Sequence, residues 1–354
     1  MRVFVTGASG WIGSATVDDL LAAGHEVTGL ARSDASAAAL QAKGARVRRG
    51  DLDDRASIRA GAEAAEAVIH LANKHDWSNP AASSAAERAA VQTIGDALVG
   101  TNRPFLLASG VAALTQGRPA REDDVSPFHG PESPRGGSEN LALEFVDCGV
   151  HTVSVRFAPT VHGAGDHGFI AVIAAVAREK GVSGYPGDGT NRWAAVHRSD
   201  AARLVALGLA KAPAGARLHA VAEDGIPTRD IAEAIGRAFA LPVVSIAPDD
   251  VQRHFGWIGA FFGMDLAATS TATRELLGWT AAGPTLIEDI DAGAYSVRYR
   301  DGVRAGGEFL VQNYPRGAFR FGGDERGGPP GDDGDVLRSV EGYADRPGPG
   351  VVPD

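Results

Sequence analysis

Only one of the 354 residues is a cysteine, Cys148, so neither an intramolecular disulfide framework nor a multi-cysteine zinc site is available. Lysine is scarce, with Lys43, Lys74, Lys180 and Lys211 as the whole set, and no tyrosine occurs before Tyr185. Basic residues are outnumbered 34 to 44 by acidic ones, and the net charge of −10 argues against nucleic acid or an anionic membrane surface as the main partner. No apolar run approaches the ~18 residues of a membrane-spanning helix. The opening Met1-Arg2-Val3-Phe4-Val5-Thr6-Gly7 has one basic residue and no apolar stretch of signal type, so a cytoplasmic protein is expected. What the chain does have is 44% hydrophobic residues, enough for a substantial core, and a length suited to two domains or one large α/β unit.

Short apolar runs alternate with helical patterns over the first 160 residues. Strands are expected at Arg2–Thr6, His25–Ala31, Ala45–Arg49, Glu66–Ala72, Pro104–Ser109 and His151–Phe157, with helices over 12–23, Ala85–Val99 and Ser138–Cys148. This alternation predicts βαβ units, hence a Rossmann-like, doubly wound α/β fold with a parallel sheet covered on both faces. Residues 161–298 are less regular. Helices are expected at Phe169–Lys180 and Ser199–Lys211, with a third running from an N-cap at Thr228 to Phe239; strands are expected at Arg217–Ala222 and Val243–Ala247. They read as a smaller C-terminal substrate lobe, partly interleaved with the 1–160 domain. Residues 299–354 are rich in glycine and proline, lack any periodic apolar face and are expected to be a disordered tail.

Thr6-Gly7-Ala8-Ser9-Gly10-Trp11-Ile12-Gly13 joins the first strand to the first helix. Gly7 permits the tight turn, Gly10 lets the backbone approach a pyrophosphate, and Gly13 lets the helix pack on the strand. The helix N-terminus offers its amides to the phosphates, with Trp11 and Ile12 in its first turn. A dinucleotide is therefore expected. The second strand ends Ala31-Arg32-Ser33 with no carboxylate to hold the ribose hydroxyls, whereas the Arg32 guanidinium matches the extra phosphate of NADP. NADP is the preferred cofactor, NAD remaining possible. Asp51, followed by Leu52, either brackets the adenine or caps the next helix, and Ala72 closes the fourth strand and is a further candidate to contact the cofactor.

These features resemble the short-chain dehydrogenase/reductase superfamily, in particular its extended epimerase/dehydratase branch. Over residues 1–297 the resemblance rests on the glycine loop, Gly50-Asp51-Leu52, His70-Leu71-Ala72, Arg156-Phe157-Ala158-Pro159-Thr160-Val161-His162-Gly163, Val196-His197-Arg198-Ser199-Asp200 and Glu275-Leu276-Leu277-Gly278-Trp279. It implies that Pro159 lies near the nicotinamide. It also implies a catalytic Tyr-x-x-x-Lys, but matching Glu144 to the family's glutamate puts Gly136 on the tyrosine and Asn140 on the lysine, and no other register supplies the pair. The likeness is thus to atypical members of the superfamily that keep the cofactor site and lose the usual triad.

The loop His162-Gly163-Ala164-Gly165-Asp166-His167-Gly168 leaves the carboxyl end of a strand, where ligands of open α/β sheets bind. His162 and His167 are candidates for the missing general acid, with Asp166 as orienting partner. Ser109 is a candidate to bond substrate or nicotinamide amide, Glu139 and Asn140 stand near the lost pair, and Arg135 either meets an anionic substrate or lies on the surface. His197 and Asp200 read as packing and capping residues, and Cys148 as a buried small hydrophobe. No third ligand accompanies the loop histidines, so no metal is expected. The expected function is an NADP-dependent oxidoreductase acting on a small carbonyl or alcohol compound. A nucleotide-sugar epimerase or dehydratase and a non-catalytic NADP-binding regulator are the alternatives, and a homodimer is possible.

Overall fold

The computed structural model describes residues 1–76 and 79–296, so the expectation of a disordered 299–354 tail lies outside the described residues. Seven strands form one parallel sheet: β1 (Arg2–Thr6), β2 (Glu26–Ala31), β3 (Arg46–Arg49), β4 (Ala67–His70), β5 (Pro104–Gly110), β6 (His151–Phe157) and, after three short strands elsewhere, β10 (Arg217–Ala220). Their order across the sheet is β10-β6-β5-β4-β1-β2-β3. The order reverses between β1 and β4, and that switch point opens a crevice at the carboxyl ends of the strands. The central strands β1, β4, β5 and β6 are apolar runs such as Val3-Phe4-Val5 and Phe105-Leu106-Leu107, as a sheet buried on both faces requires.

Two helical layers do the burying. Helices α1 (Trp11–Ala22), α2 (Asp34–Ala42), α7 (Arg198–Lys211) and α11 (Thr271–Leu277) place Val17, Leu20, Leu40, Leu204, Val205 and Leu277 against one face. Helices α3 (Arg55–Ala64), α4 (Pro80–Leu98) and α5 (Ser138–Glu144) place Ile58, Val91, Ile94 and Leu141 against the other. The lobe contains β7 (Thr160–His162), β9 (Arg192–His197) and β11 (Glu223–Pro227) as one sheet, and β8 (Ser183–Pro186) paired with β12 (Val243–Ile246). Around them lie α6 (Phe169–Lys180), α8 (Thr228–Phe239), α9 (Val251–Phe255), α10 (Gly259–Phe262) and α12 (Leu286–Asp291), packed about the fully buried Trp193 and Phe262.

After building β7, β8 and β9, the chain returns to the large sheet with α7 and β10. Two local readings change. Thr228 is the first residue of α8 rather than its cap, because its hydroxyl donates to Asn191 Oδ1 at 2.7 Å, and Pro227 takes the cap position. Cys148 is exposed, not buried, because α5 ends at Glu144 and the residue falls in the turn that follows. Among the described residues no helix is long and apolar enough to cross a membrane.

Candidate cofactor and substrate site

Thr6 ends β1 and the chain turns at Gly7, whose φ of +67° an L side chain rarely adopts. A Cβ on Gly7 would lie 2.7 Å from the Ala72 nitrogen, so the loop and the end of β4 touch backbone to backbone. The Gly10 amide donates to the Gly7 carbonyl at 2.9 Å, and Gly10 is the N-cap of α1. No side chain caps this helix and its first turn holds no acid. Its leading amides are therefore open to an anion, which fits a pyrophosphate. The Trp11 and Ile12 side chains do other work. Trp11 Nε1 donates to the Val161 carbonyl at 2.7 Å, and its ring meets the Arg198 guanidinium, 4.3 Å from the centroid, and His167, 5.7 Å away in an edge-to-face pair. Ile12 packs on the core.

Behind the loop, His70 closes β4 with no exposed surface, one ring nitrogen 2.8 Å from Thr6 Oγ1 and the other unpartnered. Burial first, and then the Arg135 charge, hold its pKa down to about 3. The unfolded chain takes up this proton near pH 6.5, whereas the folded protein resists until about 3. The stability contributed by keeping His70 neutral is thus complete above pH 6.5 and is lost as pH falls through that window, at up to ~1.4 kcal/mol per pH unit. Urea midpoints of wild type and His70→Gln between pH 7 and 4 check this: the variant should decline less steeply. Parallel declines would show that His70 titrates normally.

Just past the end of β2, Arg32 is exposed, and its side chain makes no hydrogen bond or ion pair among the described residues. Arg49, opposite Ala31 in the β2–β3 register, donates to the Ser33 carbonyl and to Asp34, both at 2.7 Å. Asp51 Oδ1 accepts from the Asp53 and Asp54 amides, so Asp51 shapes the turn, while Asp54 is the cap of α3. Leu52 is buried with Phe4 and Ile58.

The carboxyl end of β5 carries a buried polar chain. Ser109 Oγ donates to Glu139 Oε2 at 2.8 Å, Arg156 Nε donates to Glu139 Oε1 at 2.7 Å, and Arg156 Nη1 lies 3.4 Å from His219 Nε2. Arg156 has no exposed surface, and burial outweighs the Glu139 attraction in lowering its pKa. Beside this chain, Arg135 grips the buried Glu87 in bidentate fashion, at 3.1 Å through Nε and 2.5 Å through Nη2, and Nη2 also donates to the Ala108 carbonyl at 2.9 Å. Asn73, from the loop after β4, donates to the same Glu87 at 2.6 Å.

The model of the NAD dependent epimerase/dehydratase family matches residues 3–221. The chain belongs to this family. It is 42% identical over 295 residues to an uncharacterized protein of Schizosaccharomyces pombe, covering 83% of this chain and 100% of that protein. It is 30% identical over 190 residues, 51% of this chain and 56% of the relative, to 4-hydroxy-2-methyl-3-oxo-4-farnesyl-3,4-dihydroquinoline-1-oxide ketoreductase of Stigmatella aurantiaca. In fold it is similar to the UDP-glucose 4-epimerase of Thermus thermophilus solved with NAD, with a TM-score of 0.64 and 21% identity over 83% of this chain and 98% of that one.

For a member of this NAD-dependent family, the residues matched to the family's tyrosine and lysine are unusual. Gly136 has φ +61°, and a Cβ there would lie 2.7 Å from the Ser84 carbonyl oxygen, so the backbone admits no side chain at this point. Asn140 donates to the carbonyls of Ser126, at 3.0 Å, and Phe128, at 2.7 Å, and so anchors the preceding loop. The strand-six loop is not one constellation, and two expectations for it are corrected. His162 is the last residue of β7 and fully buried, not presented on an open loop; its Nδ1 lies 2.6 Å from Asp289 of α12, and burial lowers its pKa despite that carboxylate. Among the described residues Asp166 hydrogen-bonds no imidazole: it accepts from the Gly168 amide at 2.6 Å and from the Tyr295 hydroxyl at 2.8 Å. His167 is exposed and stays beside Trp11. Pro159 is half-buried just past β6. His197 caps α7, and Asp200 accepts from the amides of Ala282 and Gly283. Among the described residues no group of three or more His, Cys, Asp or Glu side chains is arranged to hold a metal.

Glu87, Arg156 and His219 escaped sequence reasoning. Each is one polar residue in an otherwise ordinary helix or strand, and only the pairing of β5, β6 and β10 makes a cluster of two of them.

Proposed function

We propose that this chain is an NADP(H)-dependent oxidoreductase that moves hydride between the nicotinamide and a small carbonyl or alcohol compound. The observation that carries the reading is the unpaired, exposed Arg32 guanidinium at the end of β2, where a carboxylate would favour NAD. The open amides at the start of α1 would hold the pyrophosphate, and the bound cofactor supplies the hydride. Carbonyl reduction is favoured by the likeness to a protein named as a ketoreductase. The proton comes from His167 or solvent, since Gly136 and Asn140 have none to give there.

The test is NADPH oxidation over a panel of aldehydes and ketones. Tight NADPH binding with no oxidation would replace this reading by a non-catalytic binding protein. Conversion of a nucleotide sugar without net NADPH consumption would replace it by an epimerase or dehydratase. Cofactor choice is tested separately. Arg32→Ala removes a charge-assisted contact of roughly 1.5–3 kcal/mol, so NADPH affinity should fall more than tenfold while NADH affinity hardly moves. Equal losses for both dinucleotides would assign Arg32 a purely structural part.

A further inference from the structure

Arg135 differs from every other arginine of the described residues in its backbone. It is a non-glycine residue at φ 55° and ψ 22°, followed by Gly136 and Gly137, both also at positive φ. A bulky residue held there costs stability and persists only where its surroundings impose it, and such strain gathers where a side chain must be aimed. The surroundings here do impose it. Glu87 is 1% exposed and grips Nε and Nη2 together, Ala108 takes a second bond from Nη2, and Asn73 holds Glu87 in turn. The loop after β4, the end of β5, α4 and the turn before α5 thus converge on one guanidinium.

The third nitrogen, Nη1, makes no hydrogen bond among the described residues, and the side chain stays 37% exposed although its partner is buried. Arg135 also precedes Gly136, the position matched to the family's tyrosine. His70 and His75 lie within electrostatic reach of the guanidinium, and His167 within reach of His75, so the charge lies in the same neighbourhood as the proposed proton donor. A guanidinium fixed by two of its nitrogens and free at the third is a pre-aligned donor for an oxygen that gains negative charge.

We propose that Arg135 Nη1 is the oxyanion-binding group of this site, receiving the substrate carbonyl oxygen where relatives of the usual kind present a tyrosine hydroxyl. The proposal rests on the oxidoreductase reading. In the reduction a C–H bond forms at the carbonyl carbon from the transferred hydride, the C=O π pair moves onto oxygen, and the reduced nicotinamide becomes oxidised. The guanidinium holds the alkoxide until a proton from His167 or water completes the alcohol. Unlike a tyrosine, Arg135 gives up no proton, so hydride and proton come from separate places.

The experiment compares wild type with Arg135→Lys, which keeps a positive charge for Glu87 and loses the fork. Oxamate, a planar carboxylate that also carries a carbonyl, is titrated calorimetrically into each protein with and without NADPH. Expected are at least tenfold weaker oxamate binding in the variant and turnover reduced ~100-fold, with NADPH affinity unchanged and the protein still folded at the assay temperature. Should Arg135→Lys fail to fold, the double variant Glu87→Gln with Arg135→Gln, which removes both charges together, carries the same comparison. Equal oxamate binding in wild type and variant overturns the assignment even if carbonyl reduction stands, and so does a loss that merely follows loss of NADPH binding. Weakened oxamate binding in a protein that turns over no carbonyl upholds the oxyanion site and removes the oxidoreductase reading instead.

Discussion

Glu139→Gln should lower folding stability by about 3–5 kcal/mol, although it changes one atom type and almost no volume. Glu139 is 6% exposed and, among the described residues, is the only carboxylate hydrogen-bonded to Arg156, whose guanidinium is wholly buried and has one nitrogen, Nη2, without a partner among them. A neutral amide still accepts a hydrogen bond from Arg156 Nε, but it removes the charge that offsets the desolvation of a buried cation. Arg217, 3.9 Å from the same carboxylate, then adds repulsion that is no longer balanced. Urea denaturation at pH 7 measures the change. The companion variant, Glu139→Leu with Arg156→Met, removes both charges together and should recover most of the loss, because an apolar pair of similar size has no charge to desolvate. A Glu139→Gln midpoint within error of wild type would mean that water reaches Arg156. Because Ser109 donates to Glu139, the single variant should also loosen the carboxyl end of β5.

Gly13→Ala should weaken NADPH binding more than ~100-fold, about 2.7 kcal/mol, and cost a further ~1–3 kcal/mol of stability. The added methyl would run into the Gly7 carbonyl oxygen and lie 3.1 Å from Ala8 Cα. Both obstacles are backbone, so no rotamer change relieves the clash and α1 must move off the loop. Moving the helix takes its first amides away from the phosphates, which is why a substitution that touches no ligand should remove binding. Fluorescence titration with NADPH and a thermal melt separate the two effects. Normal NADPH affinity in a destabilised variant would show that the dinucleotide is held elsewhere.

Much of the fold is legible in the chain because its cause is local. The strand His151–Phe157 and the helix Phe169–Lys180 are read residue for residue, since each is a run with one periodicity and clear ends. The glycine loop is equally readable: the need for positive φ at Gly7 and for close approach at Gly13 permits one residue type. The short strands β7, β8, β9 and β11 were not readable, because three to six residues carry no period and pair only with strands distant in sequence. Burial of single polar residues is likewise invisible from composition. His162 and His167 stand five apart in one glycine-rich loop, yet α12, more than a hundred residues later, encloses the first with Asp289 and leaves the second exposed. The chain by itself determined an α/β fold with a dinucleotide loop and the lack of a tyrosine–lysine pair, since turns, periods and missing residue types are properties of neighbours along the backbone. Only the tertiary structure decided that Arg135 is the aimed cation and Asn140 an anchor, because whether a polar side chain is held, buried or presented depends on partners such as Glu87 and Ala108 that the fold brings to it from far along the chain.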